Sequence, residues 1–384
     1  MSAGARAALP AAVAALVCVH TCMTATRVAA SLHLLQQGEP TWMVGALLAA
    51  FAVGPIVLAL WAGQQADRHG MHRTLAVGAV LGSLGALAAV LSQQPAVLMG
   101  AALATGGAIS VAAIGIQREA GRMARDAHDL KRVFAWVALG PALSNSIAPV
   151  VVGLLIDHVG FRSAFGFAAL LPLAAWWGAR RIPRAPAGGL LAAGAPPPRA
   201  AFELLRELDF RRLLAVTIVM AACWDAHSFV VPVLGHARGL SASSIGVVLG
   251  AFALAVLGVR IVISRWAERL DEARALPGAM TLAAAVCLLY GLLPTTAGMA
   301  LGSALLGLAL GSVQPMVMAR LHQMVAPERH GQALGVRMLA TNLATLGVPL
   351  AFGLMAGVAG VLSPLWLMAA LMLLALRPAR QLNG

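Results

Sequence analysis

Val44-Gly45-Ala46-Leu47-Leu48-Ala49-Ala50-Phe51-Ala52 recurs 201 residues later as Ile245-Gly246-Val247-Val248-Leu249-Gly250-Ala251-Phe252-Ala253. The same register carries on downstream, where Gly63-Gln64-Gln65-Ala66-Asp67-Arg68 meets Ser264-Arg265-Trp266-Ala267-Glu268-Arg269. A second match lies at nearly the same offset, with Ala148-Pro149 and Gly153-Leu154 answered by Val348-Pro349 and Gly353-Leu354. Self-similarity on this scale marks a duplicated chain of two parallel halves.

Composition says what those halves dissolve in. The 384 residues are 60% apolar and only 11% charged, whereas soluble domains carry about a quarter charged residues. A helix needs roughly 20 apolar residues to cross a hydrocarbon core. Twelve segments meet that need, at about 9–35, 42–62, 74–92, 95–117, 133–155, 162–178, 211–235, 243–264, 275–293, 296–319, 332–356 and 361–376. Arg6 precedes an apolar run much longer than the core of a cleavable signal, so the first segment is expected to stay as a span.

A net charge of +13 suggests nucleic acid until the charges are placed along the chain. Arg68, Arg73, Arg118, Arg122, Arg125, Lys131, Arg132, Arg180, Arg181, Arg206, Arg211, Arg212, Arg265, Arg269, Arg320, Arg329, Arg377 and Arg380 all fall on one side of the spans. The other side holds only Arg162 and Arg238. That bias is the positive-inside rule, which puts both termini in the cytoplasm of a bacterial-type plasma membrane and makes nucleic acid an unnecessary partner. Cys18, Cys22, Cys223 and Cys287 lie in apolar segments without CxxC or His spacing and read as small packing residues, so no metal is expected.

The domain reading follows directly. Residues 1–178 form a first six-helix bundle and 211–384 a second. The interval 179–210, with Pro183, Pro186, Gly188-Gly189 and Pro196-Pro197-Pro198, is a cytoplasmic linker ending in an amphipathic stretch, Phe202 to Leu208. Other loops are too short to hold a catalytic domain, and no GxxxxGK[ST] motif is present, so the chain is expected not to be an enzyme, to use no cofactor and to run on an ion gradient.

Gly63-Gln64-Gln65-Ala66-Asp67-Arg68-His69-Gly70-Met71-His72-Arg73 is expected to form the cytoplasmic loop between the second and third spans. It resembles the GxxxDRxGRR signature of the major facilitator superfamily, keeping Gly63, Asp67, Arg68, Gly70 and Arg73, while Met71 stands where a basic residue is common. The resemblance covers the whole chain. It implies an all-α fold of twelve transmembrane helices, two six-helix bundles in pseudo-twofold arrangement, working as a monomer that moves a small organic solute by alternating access. It also implies that Asp67-Arg68, with the second copy Glu268-Arg269, forms a cytoplasmic gate that latches while the outside is open. The fifth span, with Ser144, Pro149 and Gly153, is similar to the Gly- and Pro-rich signature of the superfamily's proton antiporters; their fourth-span arginine has no counterpart, because Leu103 or Ala102 occupies its place.

Ionisable groups inside spans are costly and point to function. Asp225 is the acidic residue placed deepest, and the repeat sets it opposite Thr24, with His227 opposite Thr26 and Arg27 about a turn away. A carboxylate whose distance from a guanidinium changes as the halves rock would load and release a proton, which makes Asp225 the candidate for proton coupling, with His227 as its helper. Arg27 suits a carboxylate or phosphate of the solute. Thr24, His20, Gln314, Asn145 and Asn342 add hydrogen-bonding groups at depth and complete the substrate candidates. Arg260 and Arg337 lie nearer the cytoplasmic ends, where snorkelling would anchor them. The expected function is proton-coupled export; proton-coupled uptake of an organic anion or zwitterion is the alternative, and a non-transporting sensor or lipid scramblase on the same scaffold is the alternative from another class.

Overall fold

A computed structural model describes residues 3–123, 127–180, 182, 203–266, 272–325 and 329–381. Among these the architecture is all-helical: α1 (Ala3–Gln36), α2 (Thr41–Leu91), α3 (Pro95–Met123), α4 (Ala127–His158), α5 (Phe161–Ala179), α6 (Leu208–Ala237), α7 (Ala242–Trp266), α8 (Glu272–Leu289), α9 (Thr296–Met324), α10 (His330–Ala359) and α11 (Ser363–Gln381). Among the described residues nine helices are long and apolar enough to cross a membrane. Residues 183–202 of the expected linker lie outside the described residues, and so do Glu268 and Arg269. Leu204, in a 3-10 turn before α6, is buried against that helix.

The chain forms two compact units. The first comprises Met1–Glu39, Ala46–Ala193 and Ser241–Gly246, with α1 packed on α3, α4 and α5. Its small and branched apolar side chains, among them Ala12, Leu16, Val19, Leu75, Ile116, Val133 and Val137, make one buried cluster. The second comprises Pro40–Gly45, Gly194–Leu240 and Val247–Gly384, with α6 packed on α9, α10 and α11. Each unit thus takes one short helical segment from the opposite half of the sequence.

The repeat is written in backbone contacts. A methyl group added at Gly106 would fall on the carbonyl oxygen of Phe51, and one added at Gly307 on that of Phe252, the same pair one repeat later. Gly246 meets the Pro149 carbonyl in the first unit as Gly45 meets the Pro349 carbonyl in the second. Bare backbone at these points lets helices approach closely enough for dispersion to hold them, the means available where water supplies no drive. Hydroxyls repeat as well: Ser163 Oγ donates to the Gly160 carbonyl (2.6 Å) with that of Leu155 also in reach (3.2 Å), and Ser363 Oγ donates to the Gly360 carbonyl (2.7 Å) with that of Met355 in reach (3.3 Å).

The signature segment differs from the loop expected for it. Residues 63–69 continue as helix, and α2 breaks at one residue, Gly70, with φ 72° and ψ −175°. Side chains rarely adopt that backbone and nothing crowds the position, so glycine is required there for conformation, not space. Pro149 and Pro349 sit within α4 and α10 without ending them.

Candidate functional site

Four of the predicted substrate residues lie in the first unit. His20, Thr24 and Arg27 follow at i, i+4 and i+7 along α1, so they share one stripe of that helix. Thr24 Oγ1 donates to Asn145 Oδ1 on α4 at 3.3 Å and lies 3.3 Å from His20 Nδ1. A hydroxyl has one proton to give, so with that proton on Asn145 it accepts from the Nδ1–H form of His20. Thr24 is buried, while His20, Arg27 and Asn145 are half-buried. The neighbouring Ser144 hydroxyl lies within hydrogen-bond reach of the Val17 (3.0 Å) and Gly140 (2.9 Å) carbonyls and ties α4 to α1. The result is a partly accessible polar stripe in an apolar helix layer.

The second unit builds its polar groups differently. His227, buried on α6, has Nε2 2.8 Å from Ser303 Oγ on α9; that hydroxyl is 2.7 Å from the phenol of Tyr290, which donates to the Met299 carbonyl at 3.3 Å. With the phenol proton on Met299, Ser303 donates to Tyr290 and the Nε2–H form of His227 donates to Ser303. The imidazole also stacks on Phe252, with ring centroids 4.2 Å apart and 20° between planes. Trp224 meets Phe252 edge-on at 4.7 Å. Asp225 is half-buried and lies two residues before His227, a spacing of about 200° around a helix, so the two side chains leave α6 on different sides.

The other substrate candidates in this unit are separate. Gln314, exposed on α9, accepts a 2.5 Å hydrogen bond from Nη2 of Arg260 on α7. Asn342 is exposed on α10, next to Thr341, whose hydroxyl turns back to the Arg337 carbonyl at 3.0 Å. Cys223 and Cys287, read as small packing residues, lie with their sulfurs 3.5 Å apart, both buried, where α6 passes α8.

At the signature, Asp67 Oδ1 accepts from Nε of Arg118 on α3 at 2.7 Å, so its partner belongs to its own unit. Gly63 lies in the helix just before it, Arg68 and Arg73 are exposed on either side of the Gly70 break, and His72 Nε2 lies 3.0 Å from the Ile182 carbonyl. The ion pair and the histidine contact fix both arms of α2 beside α3 and the end of α5.

Sequence reasoning missed four contributors. Tyr290 is the single tyrosine of the chain, and that rarity was the available signal. Ser303 is one of many small polar residues and gives none. Arg118 looked like one more cytoplasmic cation. Asp157, at the end of α4, accepts from the backbone amides of Ala242 (3.0 Å) and Ser243 (2.8 Å), capping α7 with a carboxylate; at the equivalent place in the second unit the Thr41 hydroxyl donates to the Gly353 carbonyl at 2.9 Å.

The sequence pattern of the Major Facilitator Superfamily matches residues 12–302 and again 213–377. No curated protein matches the chain in sequence. Among solved structures it is similar to the nucleoside transporter NupG, with a TM-score of 0.74 at 13% identity over 97% of this chain and 98% of that one. It is also similar to the human organic anion transporter MFSD10 (TETRAN), with a TM-score of 0.69 at 16% identity over 99% and 100% of the two chains. A third likeness, with a TM-score of 0.75 at 13% identity over 96% and 94%, is to a POT family transporter in complex with 5-aminolevulinic acid. At these identities the likeness shows a shared fold.

Proposed function

Because the chain belongs to the major facilitator superfamily, and so is a multi-pass membrane transporter of solutes rather than an enzyme, we propose that it carries a small polar organic solute by alternating access, driven by the proton gradient. The hydrogen-bonded stripe of His20, Thr24 and Asn145, with Arg27 one turn further along α1, carries this reading. Polar groups at membrane depth are kept where they face partners or a wet cavity. A stripe offering a hydroxyl, an amide, an imidazole and a guanidinium suits a solute with several hydrogen-bonding groups. Gln314 and Asn342 extend the substrate candidates into the second unit.

In this reading the chain has twelve spans in two pseudo-twofold-related bundles, 1–178 and 211–384, joined by the linker 179–210. It is a monomer in a bacterial-type inner membrane with both termini cytoplasmic, as the placement of arginine and lysine suggests. Asp225 takes up and releases the coupling proton, with His227 supporting it. Gly63, Asp67, Arg68, Gly70 and Arg73 form the cytoplasmic gate with Glu268 and Arg269. Export by proton antiport is the first reading of direction, from the Ser144–Gly153 resemblance. Uptake of an organic anion or zwitterion by symport is the second, favoured by Arg27 on the same stripe as Thr24.

The test is purified protein in liposomes under an imposed pH gradient, screened against organic acids, sugars and amphiphilic drugs. Asp225→Asn should abolish gradient-driven accumulation while leaving solute exchange at equal pH. Full accumulation by this variant would remove Asp225 from coupling. Arg27→Ala should reduce movement of an anionic solute about tenfold or more, the worth of one charged hydrogen bond.

A further inference from the structure

Arg260 was expected to snorkel toward the cytoplasm, and its geometry is different. Its Nη2 donates to Gln314 Oε1 at 2.5 Å, on a neighbouring helix. Gln314 lies four residues before the end of its apolar span at Met318, which is about 6 Å inside that end at 1.5 Å per residue. The guanidinium therefore reaches across, not outward. Both residues fall within apolar spans, Ala242–Ile263 and Thr296–Met318.

The pairing leaves a charge to be answered. A glutamine carbonyl accepts a hydrogen bond but does not neutralise a cation, and a guanidinium has five N–H donors. Among the described residues no carboxylate lies in ion-pair reach of Arg260. Gln314 is exposed in a span, and a polar side chain at that depth belongs against water, not lipid. With Oε1 turned to Arg260, its amide N–H groups are left beside the guanidinium as further donors. The first half of the repeat has Ala59 and Ala113 at the equivalent positions, so the scaffold itself does not need this pair.

We propose that Arg260, aimed by Gln314, recognises an anionic group, and that the transported solute carries a carboxylate or a phosphate. The inference rests on the transport reading above and names its substrate class. The planar fork of Arg260 receives two oxygens of the anion side by side, and Gln314 fixes the plane of that fork and adds a donor at its edge. Arg260 sets specificity, and Gln314 both aims it and offers the anion a further donor.

The experiment uses the full chain in liposomes under a pH gradient, with two matched probe pairs: benzoate against benzamide, and glucose 6-phosphate against glucose. Calorimetric binding of the same four probes to the detergent-purified protein runs in parallel. The wild type should prefer the anion of at least one pair about tenfold or more, and Arg260→Ala should lower that preference about tenfold to a hundredfold. Arg260→Lys should restore part of it, since a point charge replaces a fork. Gln314→Glu gives the guanidinium a carboxylate of its own and should abolish the preference without removing the arginine, which covers the case of Arg260→Ala failing to fold. A wild type with no anion preference in either pair, or a preference that survives both Arg260→Ala and Gln314→Glu, overturns the proposal. Arg260-dependent anion binding without gradient-driven movement overturns the transport reading and keeps this site. Movement without an Arg260-dependent preference overturns this site alone.

Discussion

The two units share their close backbone contacts and differ in what they bury beside them. Gly106 on Phe51 and Gly307 on Phe252 are one contact made twice. In the layer next to it, the second unit holds His227, Ser303 and Tyr290 in a hydrogen-bonded row. The first has Thr26, Ala102 and Ala89 at the equivalent positions; the Thr26 hydroxyl turns back to the Cys22 carbonyl of its own helix at 2.8 Å, and both alanines are buried. The first unit has its polar stripe on another face of α1, at His20, Thr24 and Arg27. Duplication preserved the places where backbone meets backbone, since any side chain there would part the helices, and left the polar positions free to diverge.

The largest expected effect tests the shared part. Gly106→Val and Gly307→Val each push a side chain onto a helix carbonyl and should cost about 3 kcal/mol or more, read as loss of monodisperse protein in detergent. If one variant folds normally and the other does not, the two contacts are not equivalent. The next tests the divergent part. Ser303→Ala strips hydrogen bonds from both His227 and Tyr290 and should lower stability by about 1–2 kcal/mol, whereas Thr26→Val in the first unit loses only a bond to its own helix and should cost about 0.5 kcal/mol. Equal shifts in melting temperature would mean that the row contributes no more than a local bond.

A smaller difference is expected at the helix starts. Asp157→Ala removes a carboxylate from two amides and should cost about 1 kcal/mol, against about half of that for Thr41→Val. The least is expected of Asp67→Asn, whose half-exposed carboxylate pairs with Arg118 and contributes about 0.2–1 kcal/mol to stability. A marked loss of transport with unchanged melting in Asp67→Asn would separate a gating role from a structural one.

Helix content and duplication were legible because both rest on properties that survive substitution: runs of apolar residues and glycines at close approaches. Gly45 and Gly246 announced the repeat for the same reason that they make the contact, since nothing larger fits. The grouping of His20 with Thr24 was visible in helical spacing, but their meeting with Asn145 was not, because the rotation of α4 against α1 depends on packing along both helices. Arg260 was misread for a related reason. Sequence gives the distance from a helix end, and that distance permits snorkelling; whether a neighbouring helix offers a nearer acceptor is known only after the fold is built. The helical course of residues 63–69 was hidden by their polarity, which in sequence is the mark of a loop.

The exchange of short segments, Ser241–Gly246 in the first unit and Pro40–Gly45 in the second, has a consequence for anyone who cuts the chain in two. A fragment ending in the linker keeps Pro149 and Gly153 but loses the helical turn that rests on them, and the complementary fragment loses the turn that rests on Pro349 and Gly353. Neither piece contains all of its own unit. Each half of the gene thus encodes most of one body and the closing piece of the other, so the halves are expected to mature only when made together.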